Sequence, residues 1–356
     1  MANTFFKSFS EADRTTSRTL LHEAIPITGT LVSGTYNNNN NIKSFSHGMF
    51  KSVYDYPYLS SSANHLFDVT WGYVSSSEIN SASEGLNIVS DVTYQTAKKK
   101  NMYSQMAQVL VGFDTNSNVR PFDYDGNHSG GDKIGTAIFV NFSRLLVKDE
   151  IKKGSFSMTI GTGSSHATPF SETQTLSDYG AADSYLINSP AGEYGLLYTA
   201  STGGSPNGLI FYQAGVVVLP ASSTALGDES LTEWITGSGI VHHRDDIMET
   251  GSMDQFADGL VRRIQNIEFN NTTELNSTIY FCRASHNEFN YSSNTTYLSG
   301  SKVQVKADDL MMPPRSYITT VGLYSADNEL LAVAKMSEPL RKDPSNEVTL
   351  RVRLDY

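Results

Sequence analysis

Four short stretches gather the side chains that could do chemistry. The first runs from Phe122 to Asp132 and sets Asp123, Asp125 and Asp132 among Asn127, His128 and three glycines. Carboxylates at that density bind calcium when a loop curls around the ion. The helix-loop-helix calcium site needs glycine at its sixth position and a glutamate at its twelfth. Counted from Asp123, glycine falls fourth and no glutamate stands twelfth, so the stretch reads as a Gly/Asn/Asp loop. The second, Gly161-Thr162-Gly163-Ser164-Ser165-His166, joins glycine, serine and histidine. It lacks the Gly-x-Ser-x-Gly order of a nucleophile elbow and the lysine of a phosphate loop, and reads as a turn. The third, His242-His243-Arg244-Asp245-Asp246, is the densest titratable cluster. Adjacent histidines point apart on a strand and about 100° apart on a helix, so both rarely reach one metal. A solvated loop is expected there. The fourth is the basic run Lys98-Lys99-Lys100, expected on a solvated helix face. No pair of these residues has the spacing of a catalytic set. The chain is therefore expected not to be an enzyme, with no catalytic, cofactor-binding or metal-ligating residue and no cofactor.

Composition bounds the rest. A net charge of -11 argues against a nucleic-acid partner. The single cysteine, Cys282, excludes an internal disulfide and lies in the apolar run Ile279-Tyr280-Phe281-Cys282, where a buried, inert thiol is expected. The N-terminus lacks the layout of a signal peptide. The longest apolar stretch, residues 209–219, is about half a membrane span and contains Gln213, so no membrane partner is expected. Ser, Thr, Asn and Gly are abundant beside 19 Tyr and 17 Phe, which favours strands and turns over long helices.

The elements that would position such residues centre on the last forty. Tyr317 to Tyr324 is β-branched and aromatic, Ser325-Ala326-Asp327-Asn328 supplies a turn, and Glu329 to Lys335 returns as a strand apolar on both faces. A loop holding Pro339 and Pro344 follows. Then Val348, Leu350, Val352, Leu354 and Tyr356 alternate with Glu347, Thr349, Arg351, Arg353 and Asp355, the period of a strand with one wet face. Residues 277–284 and 302–306 are predicted to join these three strands. Phe67, Val69, Trp71 and Tyr73 form an aromatic stripe on a further strand, read as core with a sugar- or base-binding surface as the other reading. Met102, Met106, Val109 and Leu110 predict a helix near 101–111, stopped by Gly112. Ser252 and Gln255 form a capping box for a helix over 252–264. A short helix is expected over 228–235. The expected fold is mainly β with a few helices, α+β in class. It comprises an extended N-terminal arm (1–48), a β-rich central domain (49–237), and a part (238–356) with the 252–264 helix and a C-terminal antiparallel β-sandwich. The arm packs on another subunit or on its own domain; both readings stay open.

Several words of the sequence carry a resemblance. They are residues 287–294, 297–301, 316–324 and 328–335, with residues 20–26, 46–50 and 54–65 in the first half. The chain resembles a virion structural protein of large tailed phages, of the marine cyanophage-type myovirus kind. Its final β-module is more weakly similar to wedge proteins of contractile-tail baseplates. The resemblance implies a structural subunit of a tailed-phage particle, in the tail baseplate or neck, that is made in the host cytoplasm and localised in the virion. It implies other virion structural proteins as partners and a homo-oligomer. The alternatives are a receptor- or glycan-binding module of the tail, motivated by the tyrosines from Tyr54 to Tyr73, and a capsid-associated protein. The family brings no active site, so it assigns no functional residues.

Overall fold

The structure is a computed structural model. It describes residues 6–23, 32–33, 39–74, 94–199, 204–228, 232–237, 240–244, 247, 251–292, 294–295, 298–299, 302–303 and 314–355. The fold is mainly β with antiparallel sheets and a few helices, as the turn-rich, aromatic-rich composition predicts. Two compact units divide it: residues 22–273, and residues 1–21 with 274–356. Where the sequence reading places three parts, the helix Met253–Val261 falls in the unit 22–273 and the first 21 residues fall with the C-terminal strands.

An eight-stranded antiparallel sheet is the centre of the unit 22–273. Its spatial order is Leu186–Ser189, Gly192–Leu197, Gly208–Phe211, Val216–Pro220, Thr136–Phe142, His65–Tyr73, Lys51–Tyr54 and Ile42–Ser44. Alternation sorts each strand between two layers. Phe67, Val69 and Trp71 join Ile138, Val140, Phe256 and Leu260 in one core. Phe139, Phe211 and Val218 join Tyr103, Ala107 and Leu110 in the other. The aromatic stripe is thus core: Phe67 is 1 % and Trp71 0 % exposed. The sugar- or base-binding reading of those rings is thereby corrected.

The helix Tyr94–Leu110 starts earlier than its pattern suggests and buries Tyr103, Ala107 and Leu110. Val109, expected on the apolar face, is 65 % exposed. Gly72 explains how close this helix lies. A Cβ there would stand 2.3 Å from the Lys99 carbonyl oxygen. The capping box forms as predicted: Ser252 Oγ accepts from the Gln255 N–H at 3.2 Å, and Gln255 Oε1 accepts from the Ser252 N–H at 2.9 Å. Residues 228–235 do not give the expected helix among the described residues. Glu233–Gly237 is instead a strand paired with Ile240–His243, and Trp234 is wholly buried from it. A second sheet, of four strands, runs Thr173–Ser177, Ser157–Gly161, Ile264–Glu268 and Val32–Ser33.

In the other unit the strands pair out of sequence order. Ser316–Tyr324 and Leu330–Lys342 form a two-stranded hairpin. The second strand runs through Pro339, where a loop was expected. Asn328 closes the turn at φ +62°, with the Ser325 N–H donating to the Glu329 carbonyl at 2.8 Å. The terminal strand Val348–Asp355 pairs residue by residue with Ala284 back to Ser277. It does not add to the hairpin. Arg14–Glu23 pairs on the other side of Asn271–Ala284. The arm's first residues therefore belong to the chain's own C-terminal unit. Lys302–Val303 pairs with Leu298–Ser299 rather than with the terminal strands. Alternation in the terminal strand holds: Val352 is buried, Val348, Leu350 and Leu354 are half-buried, and Thr349, Arg351, Arg353 and Asp355 are exposed. Tyr356 and residues 24–31, 34–38, 75–93 and 304–313 lie outside the described residues.

Candidate functional site

The hairpin carries the chain's candidate surface. The register pairs Val321 with Ala334 and Leu323 with Ala332 on its inner face, where Leu323 is 6 % exposed. Its outer side chains have no such cover. Tyr317, Leu330, Leu331 and Val333 are large, apolar and exposed, Leu331 by 68 %. Water around such a row is unfavourable, at roughly 25 cal/mol per Å² of apolar area. Contiguous exposed apolar patches often mark an interaction surface.

The hairpin base is fixed. Lys342 is fully buried, and its ammonium donates to Asn290 Oδ1 at 2.8 Å, to the Asp343 carbonyl at 3.0 Å and to the His286 carbonyl at 3.3 Å. Ser316 Oγ donates to the Phe289 carbonyl beside it. Arg341 Nη2 reaches the Asp343 carboxylate at 2.9 Å. Hydrogen bonds from Ser345 hold that carboxyl below the ordinary aspartate range.

The inner face of the hairpin does not close on the neighbouring sheet. A cleft of about 610 Å³ separates them, lined by Phe6, Phe9, Phe281, Val321, Leu323 and Leu350 among others. The expected sandwich is thus two antiparallel layers around a cleft. Phe6 meets Tyr324 edge-on at 5.0 Å between ring centroids, and Phe9 meets Tyr280 at 5.3 Å. Ion pairs at this arm include Lys7 with Glu288 at 2.7 Å, Arg283 with Asp13 at 3.0 Å and Arg18 with Glu274 at 3.2 Å. Cys282 also lines the cleft. It is half-buried rather than fully buried, and burial raises its thiol pKa, favouring the neutral form.

The stretches marked by their chemistry lie elsewhere and do different work. In the loop Phe122–Asp132, the Lys133 ammonium donates to Asp123 and to the Gly130 carbonyl, where a cation reading would place an ion. Among the described residues no group of three or more His, Cys, Asp and Glu is placed to hold a metal. Gly161, expected in a turn, instead ends the strand Ser157–Gly161 and pairs with Thr173, and Arg263 donates to the Gly161 and Gly163 carbonyls, at 3.0 and 2.9 Å. Its other terminal nitrogen donates to the Glu233 carbonyl at 2.7 Å. Burial lowers the Arg263 pKa to about 10.

Two expectations of solvated charge are corrected. Arg244 is 0 % exposed, lies 5.8 Å from the Trp234 ring centroid and donates to the Gly227 carbonyl at 3.0 Å. Lys99 is 3 % exposed with its ammonium 4.8 Å from the Trp71 ring centroid, and burial lowers its pKa to about 8. Indole rings attract cations through their negative π-faces, which offsets part of the desolvation cost. His242 and His243 end a strand, and Asp245 and Asp246 lie outside the described residues.

Asp178 is a buried group that sequence reasoning missed. Asp178 is 1 % exposed and accepts from the Gly154 N–H at 2.6 Å, the Phe156 N–H at 3.0 Å and the Tyr212 hydroxyl at 3.0 Å. No local pattern marks it, because its donors come from two segments remote in sequence, residues 154–156 and Tyr212. This set organises a turn; it presents no cleft with a nucleophile and base. No helix among the described residues is long and apolar enough to cross a membrane.

Comparison with family models, with curated proteins and with solved structures finds no match in any of the three.

Proposed function

We propose that the chain is a structural subunit of a tailed-phage virion, in the tail baseplate or neck, acting through protein-protein contacts. The observation that carries this reading is the hairpin Ser316–Tyr324/Leu330–Lys342, whose base is locked by buried polar bonds while Leu330, Leu331 and Val333 stand exposed. A rigid apolar projection suits a subunit that buries surface on neighbours, since obligate interfaces commonly exceed roughly 2,000 Å². The resemblance of residues 287–294, 297–301, 316–324 and 328–335 to phage virion proteins supports the class of assembly. Its partners on this reading are other virion structural proteins and further copies of itself.

Mass spectrometry of purified particles tests the proposal. The chain is expected among the particle proteins at a copy number comparable to other tail components. Its presence in infected-cell lysate but absence from particles would end the reading.

A further inference from the structure

We propose that Arg120, His128 and Lys133 form a binding site for a small oxyanion, a phosphate or carboxylate group. The site lies in the unit 22–273 and stands apart from the virion reading. The three side chains line one pocket of about 370 Å³, beside Asp114 and Asn118. Short-range pairing brings them together. Phe113 bridges to Val119, and the Arg120 N–H donates to the Gly112 carbonyl at 3.0 Å, which folds residues 112–120 into a tight loop. Phe122–Asp123 pairs with Lys133–Ile134. His128 stands in the loop between them at φ +60°, a conformation uncommon for a residue other than glycine. Its ring stacks on Tyr194, with 6.4 Å between centroids.

Two of the charged groups here are committed to the fold. The Lys133 ammonium donates to Asp123 and to the Gly130 carbonyl. The Asp114 carboxylate accepts from the N–H groups of Asn118 and Asn116, each at 2.8 Å, and these bonds hold its pKa below the ordinary aspartate range. The Arg120 guanidinium is different. It is half-buried and makes no hydrogen bond or ion pair with the described residues, and Asp114 acts on it only at longer range. His128 Nδ1 is buried and makes no hydrogen bond, and its Nε2 lies 3.4 Å from the Tyr194 hydroxyl. Burial first, and then the positive charge of Arg120, lower the His128 pKa; Lys133 adds to this, while Asp123 and the Asn188 carbonyl oppose it. An oxyanion beside Arg120 offsets this crowding of cationic groups and favours the imidazolium form. The guanidinium suits that ligand, because its planar fork meets carboxylate or phosphate with two parallel N–H donors.

Histidine-ring NMR of the purified full chain tests this, in titrations with inorganic phosphate and, separately, with acetate at constant ionic strength. The His128 signals are assigned by their loss in His128→Asn, a substitution that suits a positive φ. In the wild-type chain these signals are expected to shift saturably, and the anion that saturates at the lower concentration identifies the group the site takes. Arg120→Gln is expected to raise the half-saturating concentration about tenfold or more. Lys335→Gln removes the same charge at an exposed position in the other unit and is expected to bind as the wild type does. The absence of a saturable shift with either anion would overturn the proposal. So would an unchanged half-saturation in Arg120→Gln, or an equal shift with chloride, which would reduce the effect to charge screening. Each of these outcomes is independent of the chain's presence in particles, so the anion site and the virion reading fail separately.

Discussion

At the scale of single residues, the buried charges of the unit 22–273 make specific demands. Burial pushes the Asp178 carboxyl up to about 6 against the ordinary 3.8, although three donors partly oppose the rise. The folded chain therefore holds this proton more tightly than the unfolded chain does. Stability from this group is present below pH 4 and is lost as pH rises through 4 to 6, by about 3 kcal/mol at ~1.4 kcal/mol per pKa unit. Comparing denaturant unfolding of wild type with Asp178→Asn across that window should show the difference between them falling as pH rises. Parallel curves would show that the carboxyl does not titrate there. Lys99 and Arg244 show why such residues were hard to read. Both look like ordinary surface charge in the sequence, and the rings that receive them, Trp71 and Trp234, are brought there by strand pairing and helix packing. By contrast, Ser252 with Gln255 and the left-handed Asn328 were legible, because each is satisfied within a few residues of itself.

At the scale of elements, close approach and pairing decide the outcome. Gly259 lies on the helix Met253–Val261 directly under Trp234, and a Cβ there would stand 1.9 Å from Trp234 Cδ1. Gly259→Ala must displace that ring, so a loss of roughly 1–3 kcal/mol is expected in thermal or denaturant unfolding. An unchanged midpoint would show that the helix and ring separate freely. The terminal strand makes a second demand. It is hydrogen-bonded to residues 277–284 along its length, but only Val352 on its apolar face is fully buried. Removing residues 347–356 should expose the C-terminal unit to protease, whereas Arg351→Ala with Arg353→Ala should leave it resistant. Equal resistance of the truncated and full chains would make the strand a dispensable edge. The alternation of this strand and the hairpin turn could be read from spacing alone. Its partner could not: 60 or more residues separate the paired strands, and no period in the sequence encodes a nonlocal neighbour. The same reason hid the pairing of Arg14–Glu23 with Asn271–Ala284.

At the scale of the whole molecule, the mainly β class follows from composition, while the two-unit division follows from how the N-terminal residues pair. The first 21 residues complete the C-terminal unit instead of forming a free arm. Residues 6–21 are therefore expected to resist protease in the purified chain, and rapid cleavage there would return them to the status of an arm ordered by a neighbour. The chemistry-bearing stretches contribute to the fold, through Lys133 on Asp123 and Arg263 on the Gly161 and Gly163 carbonyls. The hairpin keeps Leu330, Leu331 and Val333 exposed on a fixed base. We propose that this chain works as a part of a particle. Quantitative mass spectrometry of purified phage particles measures it most directly. The chain is expected in the particle fraction, at a stoichiometry shared with tail proteins. Recovery of the chain only in the soluble lysate, with none in the particles, would contradict it.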